Sequence, residues 1–355
     1  MNKNKFISCL LLVTFCLAKF LGIVPFSIWR GPQQRQPPEV RKSRFWRTHS
    51  YIAFIIAASA TPLALLTLYN KMVFLQQTDL LFFVGYNRYL LQLFCTLFTV
   101  FTQLRRDDKI RACLNQLLSC QHYAASAEFE TRTALVLCIK LLTFPAAATW
   151  TVFLILYDRA AEDLDFLLTI LFLYYCQLVL QTVLTMFFIG MLFVRHHGQL
   201  LNRRLQLLLS WVARSNSVQV QRCCRLADEV EQMMVLHSKL GRIGDVLMQL
   251  YSVQLLAFLT FALIECIVQL FLVYLSGGLS FGQREAAINP YAIVFMASIV
   301  LDTLLVIWIC EEVKRSLSFT RIVLAEFSII LAWVCVHCVC TSICMSTHSN
   351  SLLSD

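Results

Sequence analysis

The chain has 355 residues, of which 58% are hydrophobic and 14% are charged, and its mean hydropathy is +0.67. A soluble domain carries about 25% charged residues, so this composition predicts an all-α membrane protein rather than a soluble one. The net charge of +9 does not indicate a nucleic-acid partner, because the basic residues lie in short blocks beside apolar runs, as membrane topology requires.

The first apolar stretch, residues 6–18, follows Lys3 and Lys5 and resembles a signal peptide with a cleavage site after Ala18. The alternative is an uncleaved segment that lies in, or dips into, the inner leaflet, with Lys19 snorkelling to the interface. Cleavage would place the basic residues between positions 30 and 47 outside the cell, so charge favours the uncleaved segment.

Seven later runs approach the roughly 20 apolar residues that a helical crossing needs. Six of them are 49–70, 80–102, 134–157, 166–194, 246–275 and 290–310. The seventh, 327–346, is rich in cysteine and valine.

The distribution of Lys and Arg predicts the orientation. With the N-terminus inside, the inner segments are 1–48, 103–133, 195–245 and 311–326, and they hold 25 of the 30 basic residues. The outer segments hold three. Because positively charged loops stay cytoplasmic, we predict a seven-transmembrane helix bundle with an intracellular N-terminus.

The interval 195–245 is the longest cytoplasmic segment and carries eight basic residues against four acidic ones. Apolar residues recur in it at helical spacing, from Leu200 to Leu209 and again from Leu226 to Leu240. This pattern predicts two anchor helices that extend the fourth and fifth spans and pack on one another or on a partner chain. The alternative is an amphipathic helix lying on lipid.

Polar and aromatic residues inside the spans are the candidate ligand-binding residues, since each intramembrane charge costs roughly 2.5–3.5 kcal/mol. Counted from the outer end of each span, they fall at a similar level in the outer half: Arg88, Trp150, Tyr174, Tyr175, Gln177, Glu265 and Asp302. One interpretation is an interhelical tie between Arg88 and either Glu265 or Asp302. The other is an outward-opening pocket. Lys140, near an inner end, is expected to snorkel.

Enzyme chemistry has no signature in this sequence, which contains no nucleophile elbow, phosphate loop or HExxH helix. The cluster from Cys335 to Cys344 has spacings that match no closed zinc site. We therefore expect no catalytic activity, no cofactor and no metal.

Three short segments carry a resemblance to a known family. They are Lys19-Phe20-Leu21-Gly22-Ile23-Val24-Pro25-Phe26, then Leu200-Leu201-Asn202-Arg203-Arg204-Leu205, and His237-Ser238-Lys239-Leu240 with the later Gln254-Leu255-Leu256. In order and topology they resemble the insect gustatory receptor family of the chemoreceptor superfamily, over roughly residues 15–326.

The resemblance implies a ligand-gated cation channel of the plasma membrane, built as a homo- or hetero-tetramer with other gustatory receptor subunits. Each subunit would bind a small-molecule tastant in an outward pocket. The interval 195–245 would form the shared anchor, and the last helix of each subunit would line the pore.

The C-terminal part departs from the family pattern. Residues 1–328 would form the receptor bundle, but 329–355 lack the string of Thr-Tyr, five apolar residues and Gln-Phe expected in the last span. We predict an atypical last span and a short extracellular tail.

Competing classes are a G-protein-coupled receptor, a secondary transporter and a non-conducting partner subunit. The inside N-terminus excludes the first. The charged residues within the spans keep the second open, although no internal repeat is visible. The unusual tail keeps the third open.

Overall fold

The computed structural model describes residues 3–29, 38–74, 79–121, 133–141, 164–214, 220–278 and 296–325. Its helices are α1 Lys3–Phe20, α2 Arg44–Phe74, α3 Asp79–Arg105, α4 Asp107–Gln121, α5 133–141, α6 Leu164–Arg214, α7 Val220–Gly278 and α8 296–325. The all-α class predicted from composition is confirmed.

Within the described residues, three helices are long and apolar enough to cross a membrane: Arg44–Asn70 of α2, Leu164–Trp211 of α6 and Leu226–Phe271 of α7. The predicted run 80–102 is also helical, as part of α3, but α3 does not belong to this group. The run 327–346 and most of 134–157 lie outside the described residues. The seven-span count and the orientation therefore stay predictions.

Helix α6 is the central element of the bundle. In its most apolar 18-residue stretch 72% of the residues are buried, against 17% in the corresponding stretch of α2. Helix α6 also contacts α1, α2, α3, α4 and α7. The main hydrophobic core is built around its buried side chains, among them Val183, Phe187 and Met191. A helix so enclosed positions the others, whereas α2 leaves most of its apolar surface available to lipid.

The N-terminal segment is part of this core. Helix α1 ends in a Schellman motif, in which the Ile23 N–H donates to the Ala18 carbonyl at 2.9 Å and the Gly22 N–H to the Lys19 carbonyl at 3.0 Å. Ala18 is fully buried. The residue that would precede the cleavage site is therefore part of the hydrophobic core. The Lys19 ammonium lies over the rings of Phe15 and Trp46.

Gly22 is required by both backbone conformation and space, since its φ is +76° and a Cβ there would lie 2.7 Å from the Ala53 Cβ. We expect Gly22→Ala to destabilise the fold by about 1–3 kcal/mol, seen as a lower melting temperature of the solubilised protein. Gly241→Ala is the matched control, because nothing lies within 4 Å of a Cβ at that helical glycine. Equal melting of the two variants would contradict the prediction.

A β-hairpin that hydropathy did not predict follows α1. Strand β1, Phe26–Trp29, pairs antiparallel with β2, Glu39–Lys42. The Asn115 side chain of α4 completes the edge of β2: its Oδ1 accepts the Val40 N–H at 2.7 Å and its Nδ2 donates to the Val40 carbonyl at 3.1 Å. Two four-residue strands are too short to give a pattern in the sequence, and the amide that completes their edge lies 75 positions away.

The anchor helices pack within the chain. Beyond the core, α6 and α7 continue side by side and meet α8 in a second hydrophobic cluster, formed by Leu201, Leu205, Leu226, Val230, Met233, Val323 and Leu324. The apolar stripes read from the sequence therefore face one another and α8.

Candidate functional site

An ion pair between α3 and α7 lies at the end of the bundle that we predict to be outer. The Arg88 Nε lies 2.5 Å from Oε2 of Glu265, whose side chain has no exposed surface. Gln269, one turn along α7, donates to the other carboxylate oxygen at 2.8 Å. Both oxygens of Glu265 thus have partners. Of the two acids that the sequence offered to Arg88, the structure selects Glu265.

A column of polar side chains continues from Arg88 along one face of α3. We call this column the polar seam; it consists of Arg88, Gln92, Thr96, Thr99 and Gln103. Its four uncharged members are all buried, Thr96 with no exposed surface. These polar residues recur every three or four positions in an otherwise apolar run, which is the period of a helix. The seam was therefore predictable from this spacing, although the sequence analysis considered mainly the charged residues.

The polar seam joins α3 to α6 and α7. Gln92 donates to the Leu173 carbonyl of α6 at 3.0 Å, and Thr96 lies 3.4 Å from the Cys176 carbonyl. At the other end, Gln103 donates to the Gln254 side chain of α7 at 3.3 Å. Polar residues in an apolar bundle are satisfied in this way by neighbouring helices.

Asp302 belongs to a separate ion pair. Its carboxylate lies 2.7 Å from the Lys140 ammonium, and both side chains are buried. The expectation that Lys140 snorkels is wrong, because α8 places an acidic partner beside α5. The structure thus places Asp302 beside Lys140, and the expectation of a common level stays a prediction.

The two neighbouring tyrosines of α6 have different surroundings. The Tyr175 hydroxyl donates to the Leu21 carbonyl at 3.2 Å, so this side chain holds the end of α1. Tyr174 and Gln177 are half-buried and lie one turn apart. In the chain they directly follow Leu173 and Cys176, whose carbonyls α3 contacts. Trp150 lies outside the described residues.

A contact between the anchor helices and α8 was also not predicted. Asn202 of α6 donates to the Ser316 carbonyl at 3.2 Å and accepts from the Thr320 hydroxyl at 2.5 Å. His237 of α7 donates through Nε2 to the Leu317 carbonyl at 3.1 Å. We call this group the α8 clamp. Two of the segments that carry the family resemblance, 200–205 and 237–240, therefore both hold α8.

Arg195 is buried just above the α8 clamp. Its Nε lies 3.2 Å from Glu312, and its guanidinium lies 5.0 Å from the centre of the Trp308 ring. In the sequence analysis Arg195 was counted as an ordinary basic residue of the cytoplasmic interval 195–245. In the structure it ties α6 to α8, and no feature of its local sequence distinguishes it from the exposed arginines that follow.

In the parts of the chain given above, no group of three or more His, Cys, Asp or Glu side chains could hold a metal ion. The cysteine-rich cluster 335–344 lies outside those parts. The described site therefore consists of two buried ion pairs, a hydrogen-bonded seam and half-buried aromatic and amide groups.

Comparison with known proteins gives one family and one relative. The model of the family described as 7tm Chemosensory receptor matches residues 11–337. The match begins within α1 and extends past Ser328, where the resemblance read from short motifs stopped. "Putative gustatory receptor 77a" of Drosophila melanogaster is 26% identical over 340 residues, which are 87% of this chain and 75% of the relative.

Proposed function

Because this chain belongs to the 7tm chemosensory receptor family, we propose that it is a gustatory receptor subunit, a ligand-gated cation channel that detects non-volatile tastants at the plasma membrane. The family match over residues 11–337 carries the proposal. It confirms the resemblance inferred from the three short segments. The tetrameric assembly implied by that resemblance is part of the proposal.

The proposed tastant site is the outer end of the polar seam. Arg88 and Glu265 supply charge, Gln177 supplies amide groups, and Tyr174 supplies a half-buried ring with a hydroxyl. A few polar groups set among apolar walls are the usual composition of a small-molecule site. Asp302 is engaged with Lys140 instead, so it does not belong to this proposed contact set.

A secondary transporter is the competing function, and the helices disfavour it. Transporters of this kind bind their substrates where helices are broken near the membrane midplane. In the described structure, α3 and α7 run without interruption through Arg88 and Glu265. We therefore assign the buried ion pairs to the structure and ligand response of a receptor.

The adjacent tyrosines provide a matched test of the proposed site. We expect Tyr174→Ala to shift the tastant dose–response curve about tenfold to higher concentration while surface expression stays near normal, because it removes a proposed ligand contact. Tyr175→Phe loses one hydrogen bond to Leu21, worth about 1 kcal/mol, and should lower stability without shifting the curve. Whole-cell recording and surface biotinylation measure the two effects.

Two results would contradict that assignment. Loss of surface expression in Tyr174→Ala without any shift would make the residue structural. A shift in Tyr175→Phe equal to that of Tyr174→Ala would remove the distinction drawn from the structure.

Orientation can be tested independently of any ligand. We expect an epitope tag inserted after Ser215 to be reached by antibody only in permeabilised cells, because 195–245 is strongly basic. A matched tag at the N-terminus should behave in the same way. Labelling of either tag on intact cells would reverse the predicted topology.

Channel activity is tested by recording from cells that express the chain alone or with other gustatory receptor subunits, with a panel of sweet and bitter compounds. We expect weak or no current from the chain alone, because 329–346 lacks the expected last-span string. Tastant-evoked current only in co-expression would identify a partner subunit. Robust current from the chain alone would show that the cysteine-rich run can line a pore.

A further inference from the structure

A cavity of about 150 Å³ lies at the inner end of the polar seam, between the N-terminal elements and the inner halves of α6 and α7. Six parts of the fold enclose it: α1, the β-hairpin, α3, α4, α6 and α7. Representative lining residues are Phe15, Val40, Leu117, Met186 and Leu247. It is therefore formed only when the N-terminal segment and α4 dock on the bundle.

The walls of this cavity are almost wholly apolar. Its polar members include Tyr251 and Gln103, and Gln103 donates to the Gln254 side chain at 3.3 Å. Among the described lining residues, none leaves a buried polar side-chain atom without a partner. Burial raises the pKa of the Cys113 thiol in the wall to about 11, so that wall carries no charge at physiological pH.

These properties define the chemistry of an occupant. A sugar or an ion would lose its hydration and gain few partners, because the walls are almost wholly apolar and Gln103 is already bonded to Gln254. A cavity of this size and composition in a protein core stays dry and accepts benzene. Its dimensions fit a compact molecule and are small for a whole lipid chain.

We propose that this cavity is a second binding site, which takes a compact, uncharged, apolar molecule of about the size of benzene. It is distinct from the outer end of the polar seam in both position and chemistry. The assignment does not depend on channel activity, since it concerns binding to the folded chain.

Photolabelling of the full chain in nanodiscs can test the site. The probe is an uncharged phenyldiazirine, whose carbene inserts into nearby C–H bonds, and adducts are mapped by mass spectrometry. Helix α4 is the diagnostic element: four of its first five residues are charged, and its apolar residues Cys113 and Leu117 are buried in the cavity wall. We expect adducts on Leu114, Leu117 and Leu118.

Competition distinguishes the cavity from bulk lipid. Toluene at ten times its dissociation constant should reduce the α4 adducts about tenfold by mass action. Adducts on Ile55 and Leu63 of α2, which are exposed and face outwards, should not change. Unsaturable α4 labelling, or none, would overturn the proposal.

Cavity-filling variants provide the structural control. Cys113→Phe should abolish the saturable α4 adducts, whereas Leu263→Phe, at an exposed position of α7, should retain them. Ile189→Phe fills the cavity from α6 and replaces Cys113→Phe if that variant does not fold. Undiminished toluene-sensitive labelling of α4 in a folded cavity-filling variant would overturn the assignment.

A lipid chain is the rival occupant. A phospholipid with a diazirine at the end of its acyl chain is used in the same nanodiscs. Labelling of α4 by this lipid, insensitive to toluene, would overturn the proposal and assign the cavity to an acyl chain. Labelling confined to lipid-facing helices would support a free apolar molecule.

Discussion

The Lys140→Met variant is expected to lose about 3–5 kcal/mol of stability, because it leaves the buried Asp302 carboxylate without the ammonium that lies 2.7 Å away. The loss should appear as a large fall in the melting temperature of the solubilised protein. Fluorescence-detected size exclusion after heating measures it directly.

The double variant Lys140→Met with Asp302→Leu is the control. Replacing both members of a buried ion pair by apolar side chains is often neutral or stabilising, so most of the lost stability should return. A single variant as stable as the original chain would show that the pair is solvated in the folded protein. A double variant no better than the single would show that Lys140 acts through other contacts.

The Arg88–Glu265 pair has a second expected effect, on ligand response. Glu265→Leu should destabilise the bundle by about 3 kcal/mol or more, since it leaves the Arg88 guanidinium in the bundle without its carboxylate. Arg88→Met combined with Glu265→Leu should restore much of the stability. It should not restore the response to tastant, because the proposed polar contacts are then absent.

This cycle separates the two interpretations of the pair. If the pair is only an interhelical tie, both the stability and the dose–response curve should recover in the double variant. A pair that also contacts ligand predicts recovery of stability alone. If both properties recover, the proposed tastant site must be placed elsewhere on the seam.

The packed faces of the long helices could be predicted from sequence alone. Leu226, Val230 and Met233 recur at helical spacing, and such a stripe has to be buried against something. The polar seam could have been predicted in the same way, from the spacing of Gln92, Thr96 and Thr99. Local periodicity contains this information because it depends only on residues of one helix.

The pairing of charges could not be predicted by counting depth along separate spans. Arg88 had two compatible acids, and the choice of Glu265 depends on α3 lying beside α7. Lys140 was misplaced for the same reason, since its burial depends on α8. The contact between Asn115 and Val40 spans 75 positions and has no local signal at all.

Helix α6 is one unbroken helix of 51 residues, from Leu164 to Arg214. It carries Tyr174, which follows the seam-contacting Leu173 in the chain, and Asn202 in the α8 clamp, 28 positions further on, which corresponds to about 42 Å along its axis. If α6 tilts by about 5° as a rigid body about a point near Tyr174, Asn202 moves by about 4 Å. That displacement exceeds the length of a hydrogen bond, so a small rotation at one end suffices to release the contact with α8 at the other.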